Sequence, residues 1–229
     1  MKFKSALLTQ VSGSLGGMTG SHNSAGLYLR SRTIPVNPNT AAQQAARQAV
    51  QSLATRWGDV LTATQRTAWQ TYADNVPVTD KLGDALTLSG QQMYIRSNTP
   101  RIRAGTTIID AAPTEFNLGT YTTPVVTADA SATTLSAAIE ATDAWCDEDL
   151  SFLIMQQSDQ MGPAINYFKG PFIFVGSLEG DSIAPPAGPL LVTSLFPLTA
   201  GNVVYSRFRV SRADGRLSSA SIVRSVIVA

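Results

Sequence analysis

The sequence predicts an α+β fold: an N-terminal extended arm, a small helical section, then an antiparallel β-sandwich. Three observations lead there. The first 38 residues are crowded with Gly, Ser, Asn and Pro; three Ser/Thr-x-x-Gln boxes open helical patterns between Thr40 and Gln92; and beyond about residue 104 apolar residues alternate with period two between turn signals. The expected divisions are 1–38 (Gly-rich arm), 39–103 (helical hairpin section with a third helix) and 104–229 (β-sandwich).

The arm reads as non-helical because glycine reaches positive φ cheaply and bends the chain. Leu27 and Leu29 alternate with Tyr28 and Arg30, which predicts a short strand ending at Pro35. A stretch this poor in apolar residues buries little by itself, so it should be ordered by contact with a partner or with the domain behind it.

In the helical section, Thr40 and Gln43, Thr62 and Gln65, and Ser89 and Gln92 are capping boxes, each satisfying free backbone N–H groups reciprocally. The first helix places Ala46, Val50, Leu53 and Trp57 at helical spacing and should stop at Gly58; Pro100 should close the third. The short link between the first two helices predicts an antiparallel hairpin with Trp57, Trp69 and Tyr72 as its core.

Beyond residue 104, Leu135, Ala137 and Ile139 alternate, as do Leu150, Phe152 and Ile154, then Phe172 and Phe174. Val204, Ser206, Phe208 and Val210 precede Asp214-Gly215, and Ile222, Arg224, Val226 and Val228 follow it, which predicts a closing hairpin. Several short strands separated by turns imply a sandwich of about a hundred residues.

Composition narrows function. Charged residues are 14% of the chain, against roughly a quarter in ordinary soluble domains, a pattern that suits proteins packed against copies of themselves. One cysteine, Cys146, forbids an intrachain disulfide, and with one histidine, His22, it leaves no Cys/His zinc set. The apolar core of the N-terminal run is Ala6-Leu7-Leu8, too short for a signal peptide, and no run approaches a membrane span of roughly 20 residues. Residues 1–103 carry 11 Lys/Arg against 4 Asp/Glu (+7), and residues 104–229 carry 6 against 12 (−6). Opposed halves suit head-to-tail docking between copies.

No catalytic or cofactor constellation emerges. Gly13, Gly16, Gly17 and Gly20 lack the Lys of a phosphate-binding loop and the flanks of a dinucleotide fingerprint. His22 beside Ser21 or Ser24 has no orienting acid nearby. Asp143, Asp147, Glu148 and Asp149 form the densest acidic spot; their spacing is not that of a calcium loop, and a solvated turn is the favoured reading over a cation site. Arg30, Arg32, Arg47 and Arg56 form a basic front face, with Tyr28 the one aromatic among them. Docking to an acidic protein surface is the economical reading, and direct DNA contact is the alternative. The candidate assembly contacts are therefore Tyr28, Arg30, Arg32 and Arg47.

Two stretches resemble known families. Residues 13–98, most specifically Arg30–Gln43 within "GLYLRSRTIPVNPNTAAQQAARQAV", resemble uncharacterised proteins encoded among tailed-bacteriophage structural genes. The tail "GNVVYSRFRVSRADGRLSSASIVRSVIVA" is similar to the last two strands of fibronectin type III-like and immunoglobulin-like domains, with Trp145 in the place of the typical strand-C tryptophan. The resemblances imply a non-enzymatic structural protein of a tailed-phage virion, assembled in the host cytoplasm. It would decorate or cement the head through its front half. A neck or tail adaptor or fibre-attachment protein is the alternative, as is a sandwich that recognises a surface glycan. Expected partners are copies of itself and other virion proteins, with no cofactor, metal, membrane or small-molecule substrate.

Overall fold

The computed structural model describes residues 13–23, 26–34, 36–79 and 83–229. The N-terminal run Met1–Ser12, Ser24 and Pro35, all singled out above, lie outside them. The chain divides into two compact units, one ending at Gln44 and one running Ala45–Ala229.

In place of the expected extended arm with one short strand, the first unit forms an antiparallel meander of three strands, β1 (Gly13–Leu15), β2 (Met18–Asn23) and β3 (Gly26–Ser31), of which β3 holds residues 27–30. The glycine cluster explains the first turn. Leu15 pairs with Met18 across Gly16-Gly17, and Gly16 has φ +57°, the left-handed conformation that two-residue hairpin loops require. β3 ends at Ser31.

The second unit joins helices and sheet. α1 (Ala41–Asp59), α2 (Ala63–Asn75) and α3 (Gly90–Arg103) all begin at the expected boxes. The Thr40 N–H donates to Gln43 Oε1 at 3.2 Å and the Gln43 N–H to Thr40 Oγ1 at 3.4 Å, and Thr62/Gln65 and Ser89/Gln92 repeat the reciprocal pair. α1 runs one residue past Gly58. It buries Ala49 and Leu53 while Val50 is exposed, so its core stripe is offset from the expected one. α3 continues through Pro100 to Arg103. Proline in the last turn removes one hydrogen bond, and the Arg101 contacts described below hold that turn in place.

The tightest helix pair is α2–α3 rather than the expected α1–α2 hairpin. Gly90 permits it: a Cβ there would lie 2.7 Å from the Gln70 backbone nitrogen. Leu53, Trp69, Tyr72, Met93 and Tyr94 are fully buried in the helical core, with Trp57 at its margin. Trp69 meets Tyr72 and Tyr94 edge-on, with centroids 6.0 and 5.5 Å apart. A short two-stranded ribbon, β4 (Val78–Thr79) with β5 (Ala85–Leu86), links α2 to α3.

The helical core also takes in residues beyond 103. Ile108, Ala112 and Leu118 pack on it. Trp69 Nε1 donates to the Asp110 carbonyl (2.9 Å), and the Tyr72 hydroxyl donates to the Asn117 carbonyl (2.8 Å).

Seven further strands follow: β6 (Val125–Asp129), β7 (Thr134–Ala138), β8 (Phe152–Gln157), β9 (Ile173–Glu179), β10 (Leu190–Thr193), β11 (Val203–Ser211) and β12 (Ser221–Val228). They hydrogen-bond in the order β10-β7-β6-β12-β11-β8-β9, antiparallel except for β12 with β6. The sheet curls until its edge strands approach. At the approach, a Cβ on Gly176 of β9 would stand 2.6 Å from Val192 of β10. The fold is α+β.

Inside the curl lie Leu135, Ala137, Leu153, Met155, Val204, Phe208, Val210 and Ile227. Trp145 is buried there too, from a turn segment rather than a strand. Two period-two readings change. Phe152–Met155 is buried on both faces, because α3 covers the outer one, and Leu150 precedes the strand at φ +62°. On β12, Ile222, Val226 and Val228 are the exposed set, and Val223 and Ile227 face inward. Asp214-Gly215 does form a turn, and Gly215 (φ +95°) lies against Trp69.

Candidate functional site

The meander brings three of the four candidate contacts into one unit. In antiparallel pairs, directly opposed residues share a face. Tyr28 opposes Ser21 and Arg30 opposes Thr19, whose hydroxyl lies 2.9 Å from that of Ser14. Ser14, Thr19, Ser21, Tyr28 and Arg30 thus make one polar face. Met18, Leu27 and Leu29, over Gly20, make the other face mainly apolar, with Ser31 opposite Met18 at its edge.

Arg30 and Arg32 are exposed and Tyr28 is half-buried. The Arg32 backbone N–H closes the sheet by donating to the Gly17 carbonyl at 2.8 Å. Past β3, Ile34 and Val36 are 77% and 90% exposed. His22 pairs through its backbone with Leu27. Arg47, the fourth candidate, belongs to the other unit, on an exposed face of α1.

Arg56, the remaining arginine of the expected basic face, is committed elsewhere. Its Nε and Nη2 donate to the two Asp110 carboxylate oxygens at 2.8 and 2.6 Å, and the Tyr94 hydroxyl donates to Oδ1 at 3.0 Å. The guanidinium holds the Asp110 carboxyl below its ordinary range, and burial pushes the Tyr94 phenol up.

The acidic loop is divided among structural tasks. Asp143 accepts from the Thr122 N–H and hydroxyl (2.8 and 2.9 Å), Glu148 pairs with Arg212, and Asp149 accepts from the Ser182 N–H (2.7 Å). Among the described residues no cluster of three or more His, Cys, Asp or Glu has metal-site geometry. Cys146 is buried, and burial raises its thiol to about 11, so it is a packing residue rather than a nucleophile. Of the aromatics that a glycan-recognising face could use, Phe168 packs on Phe172 and Tyr205, and Phe172 lies under Arg207; Tyr167 is 74% exposed. No helix of the described residues is long and apolar enough to cross a membrane.

Sequence reading missed a convergence on the outer face of the sheet. Arg96 and Arg103 of α3 meet Arg207 and Arg209 of β11 around one cleft. Each pair carries a local signal. Positions seven apart on a helix and two apart on a strand share a face. What brings the pairs together is tertiary packing.

No protein-family model, curated protein or solved structure matches the chain.

Proposed function

We propose that this chain is a non-enzymatic structural protein of a tailed-phage virion, which decorates or cements the head shell through its N-terminal unit. The observation that carries the reading is the meander: a small sheet in a unit of its own, polar on one face and mainly apolar on the other, followed by exposed Ile34 and Val36. β3 is an edge strand of the meander, and such an edge is a template for another chain. Tyr28, Arg30 and Arg32 are its contact residues, and Arg47 adds positive charge in the second unit.

The likeness of residues 13–98 to proteins of tailed-phage structural genes supplies the setting. A neck or tail position is the second placement. The finer reading of the C-terminal body as an immunoglobulin-like or fibronectin type III-like sandwich is supported by its strand order. β10-β7-β6 and β12-β11-β8-β9 enclose one core, in a segment of the usual length for such domains. A glycan-recognition role would rest on Tyr167, because Phe168 and Phe172 are engaged in packing.

Deletion of residues 1–36 tests the reading. The truncated chain should retain the melting transition of the second unit and be lost from purified particles. Particles that incorporate it at full occupancy overturn the anchor.

A further inference from the structure

The cleft between α3 and the sheet has a volume of about 240 Å³, the space of roughly eight water molecules. Its walls carry Arg96 and Arg103 from the helix and Arg207 and Arg209 from β11, and its lining includes no carboxylate. The register explains the strand pair: Arg207 opposes Gln156 and Arg209 opposes Ile154, so both point away from the sandwich core toward α3.

Among the described residues none of the four arginines is in an ion pair. Arg96 donates to the Leu217 and Ser218 carbonyls (3.1 and 3.4 Å), and Arg207 Nε to Gln156 Oε1 (2.7 Å). Arg209 Nε is buried with no hydrogen-bond partner. Natural proteins seldom leave buried charge unpaired, because desolvation costs several kcal/mol per ion. Burial, then Arg209, lowers Arg96 to about 10, and burial, Arg209 and Arg103 lower Arg207. Four like charges around one space, with no carboxylate in its lining, favour an anion between them.

We infer that this cleft binds a phosphoryl group, held between Arg96 and Arg103 on one side and Arg207 and Arg209 on the other. A carboxylate offers one charge and two oxygens. A phosphate offers up to two charges and enough oxygens for several guanidinium forks. Pro100, Ile154 and Phe174 supply an apolar wall, with room for part of the alcohol that the phosphate esterifies. The site belongs to the second unit and does not depend on the assembly reading.

Two sources share this chemistry, a free phosphate monoester and a nucleic-acid backbone. The full-length protein is titrated with inorganic phosphate, and separately with a short single-stranded oligonucleotide lacking a terminal phosphate, both against sodium chloride at matched ionic strength. Melting temperature and calorimetry are the readouts. Phosphate should raise the melting temperature saturably. Arg103→Ala, at an exposed position, should weaken binding about tenfold or more; Arg207→Gln should do the same, and Arg224→Ala should not. Binding of the oligonucleotide in competition with phosphate identifies the backbone as source. Phosphate binding without oligonucleotide binding identifies a free monoester. The site is overturned if neither ligand differs from chloride, or if Arg103→Ala and Arg207→Gln bind as tightly as the unaltered protein.

Discussion

The guanidinium carbon of Arg101 lies 5.2 Å from the centroid of the Phe152 ring, joining the last turn of α3 to the first residue of β8. Arg101 is fully buried and, among the described residues, is in no ion pair with a carboxylate. It donates instead to the carbonyls of Thr107, Leu150 and Arg212 and to Ser211 Oγ, at 2.8 to 3.3 Å. One side chain thus ties the helical layer and the 104–118 segment to one end of the β8–β11 pair, where Phe152 opposes Ser211. Arg101→Ala should cost about 3 kcal/mol or more, from the lost volume and the orphaned carbonyls. Arg101→Met, which fills the space without burying a charge, should cost less. Urea unfolding measures both, and equal losses would mean that the hydrogen bonds of Arg101, not the volume it fills, carry its contribution.

Trp69 is the second test of the helical layer. It is fully buried, donates to the Asp110 carbonyl and touches the Gly215 turn. Trp69→Ala should cost about 3–5 kcal/mol. A melting temperature within error of the unaltered protein would place Trp69 outside the core.

Asp110 gives the layer a pH dependence. Arg56, by hydrogen bonding, lowers the carboxyl below its ordinary 3.8 in the folded chain. The unfolded chain therefore takes up the proton first as pH falls. The stabilisation is complete above the ordinary value and is lost as pH drops through the folded one. Asp110→Asn should cost about 1–3 kcal/mol at neutral pH and flatten acid unfolding below pH 4. An unchanged acid limb would show that other carboxylates govern it.

Gly180 follows β9 where the backbone leaves no room for a side chain. A Cβ there would stand 2.2 Å from the Trp145 carbonyl oxygen and 2.5 Å from Ser151 Oγ. Backbone cannot yield as a side chain can, so Gly180→Ala should cost about 1–3 kcal/mol. Gly176→Ala meets only the Val192 side chain at its closest approach and should cost less. Chemical denaturation of the two variants side by side decides it.

What the sequence showed and what it hid divide by distance along the chain. The capping boxes are contacts between residues three apart, and all three form. Thr19, Tyr28 and Arg30 were legible as arm residues, but the meander depends on Gly16-Gly17 acting as a hairpin loop, which a run of glycines does not distinguish from a flexible stretch. The inward set of β11 was legible because Val204, Phe208 and Val210 face one continuous core. The doubly buried β8 was not, because α3 ends at Arg103, far in sequence from the strand beginning at Phe152 that it covers. The same separation hid the arginine cleft.

The charge asymmetry supplies a test of assembly. Arg30 and Arg32 are exposed, and exposed charges are screened beyond about 8 Å at physiological ionic strength. Arg30→Glu with Arg32→Glu should impair incorporation into particles more than Lys169→Glu does, and association should weaken as salt rises. Equal incorporation of both variants would remove these arginines from the contact.

The parallel pairing of β6 with β12 has a mechanical consequence. The chain enters β6 at Val125 and leaves β12 at Val228, at opposite ends of the pair. Tension between those points pulls the two strands lengthwise past each other. The rungs Ile227–Ala128 and Val228–Asp129, with the 2.9 Å bonds from Ser225 Oγ to the Val126 carbonyl and from the Ala130 N–H to the Val228 carbonyl, then carry the load together instead of opening in turn. Force applied between Val125 and Val228 is therefore resisted by shear, the loading direction in which a short run of hydrogen bonds is strongest.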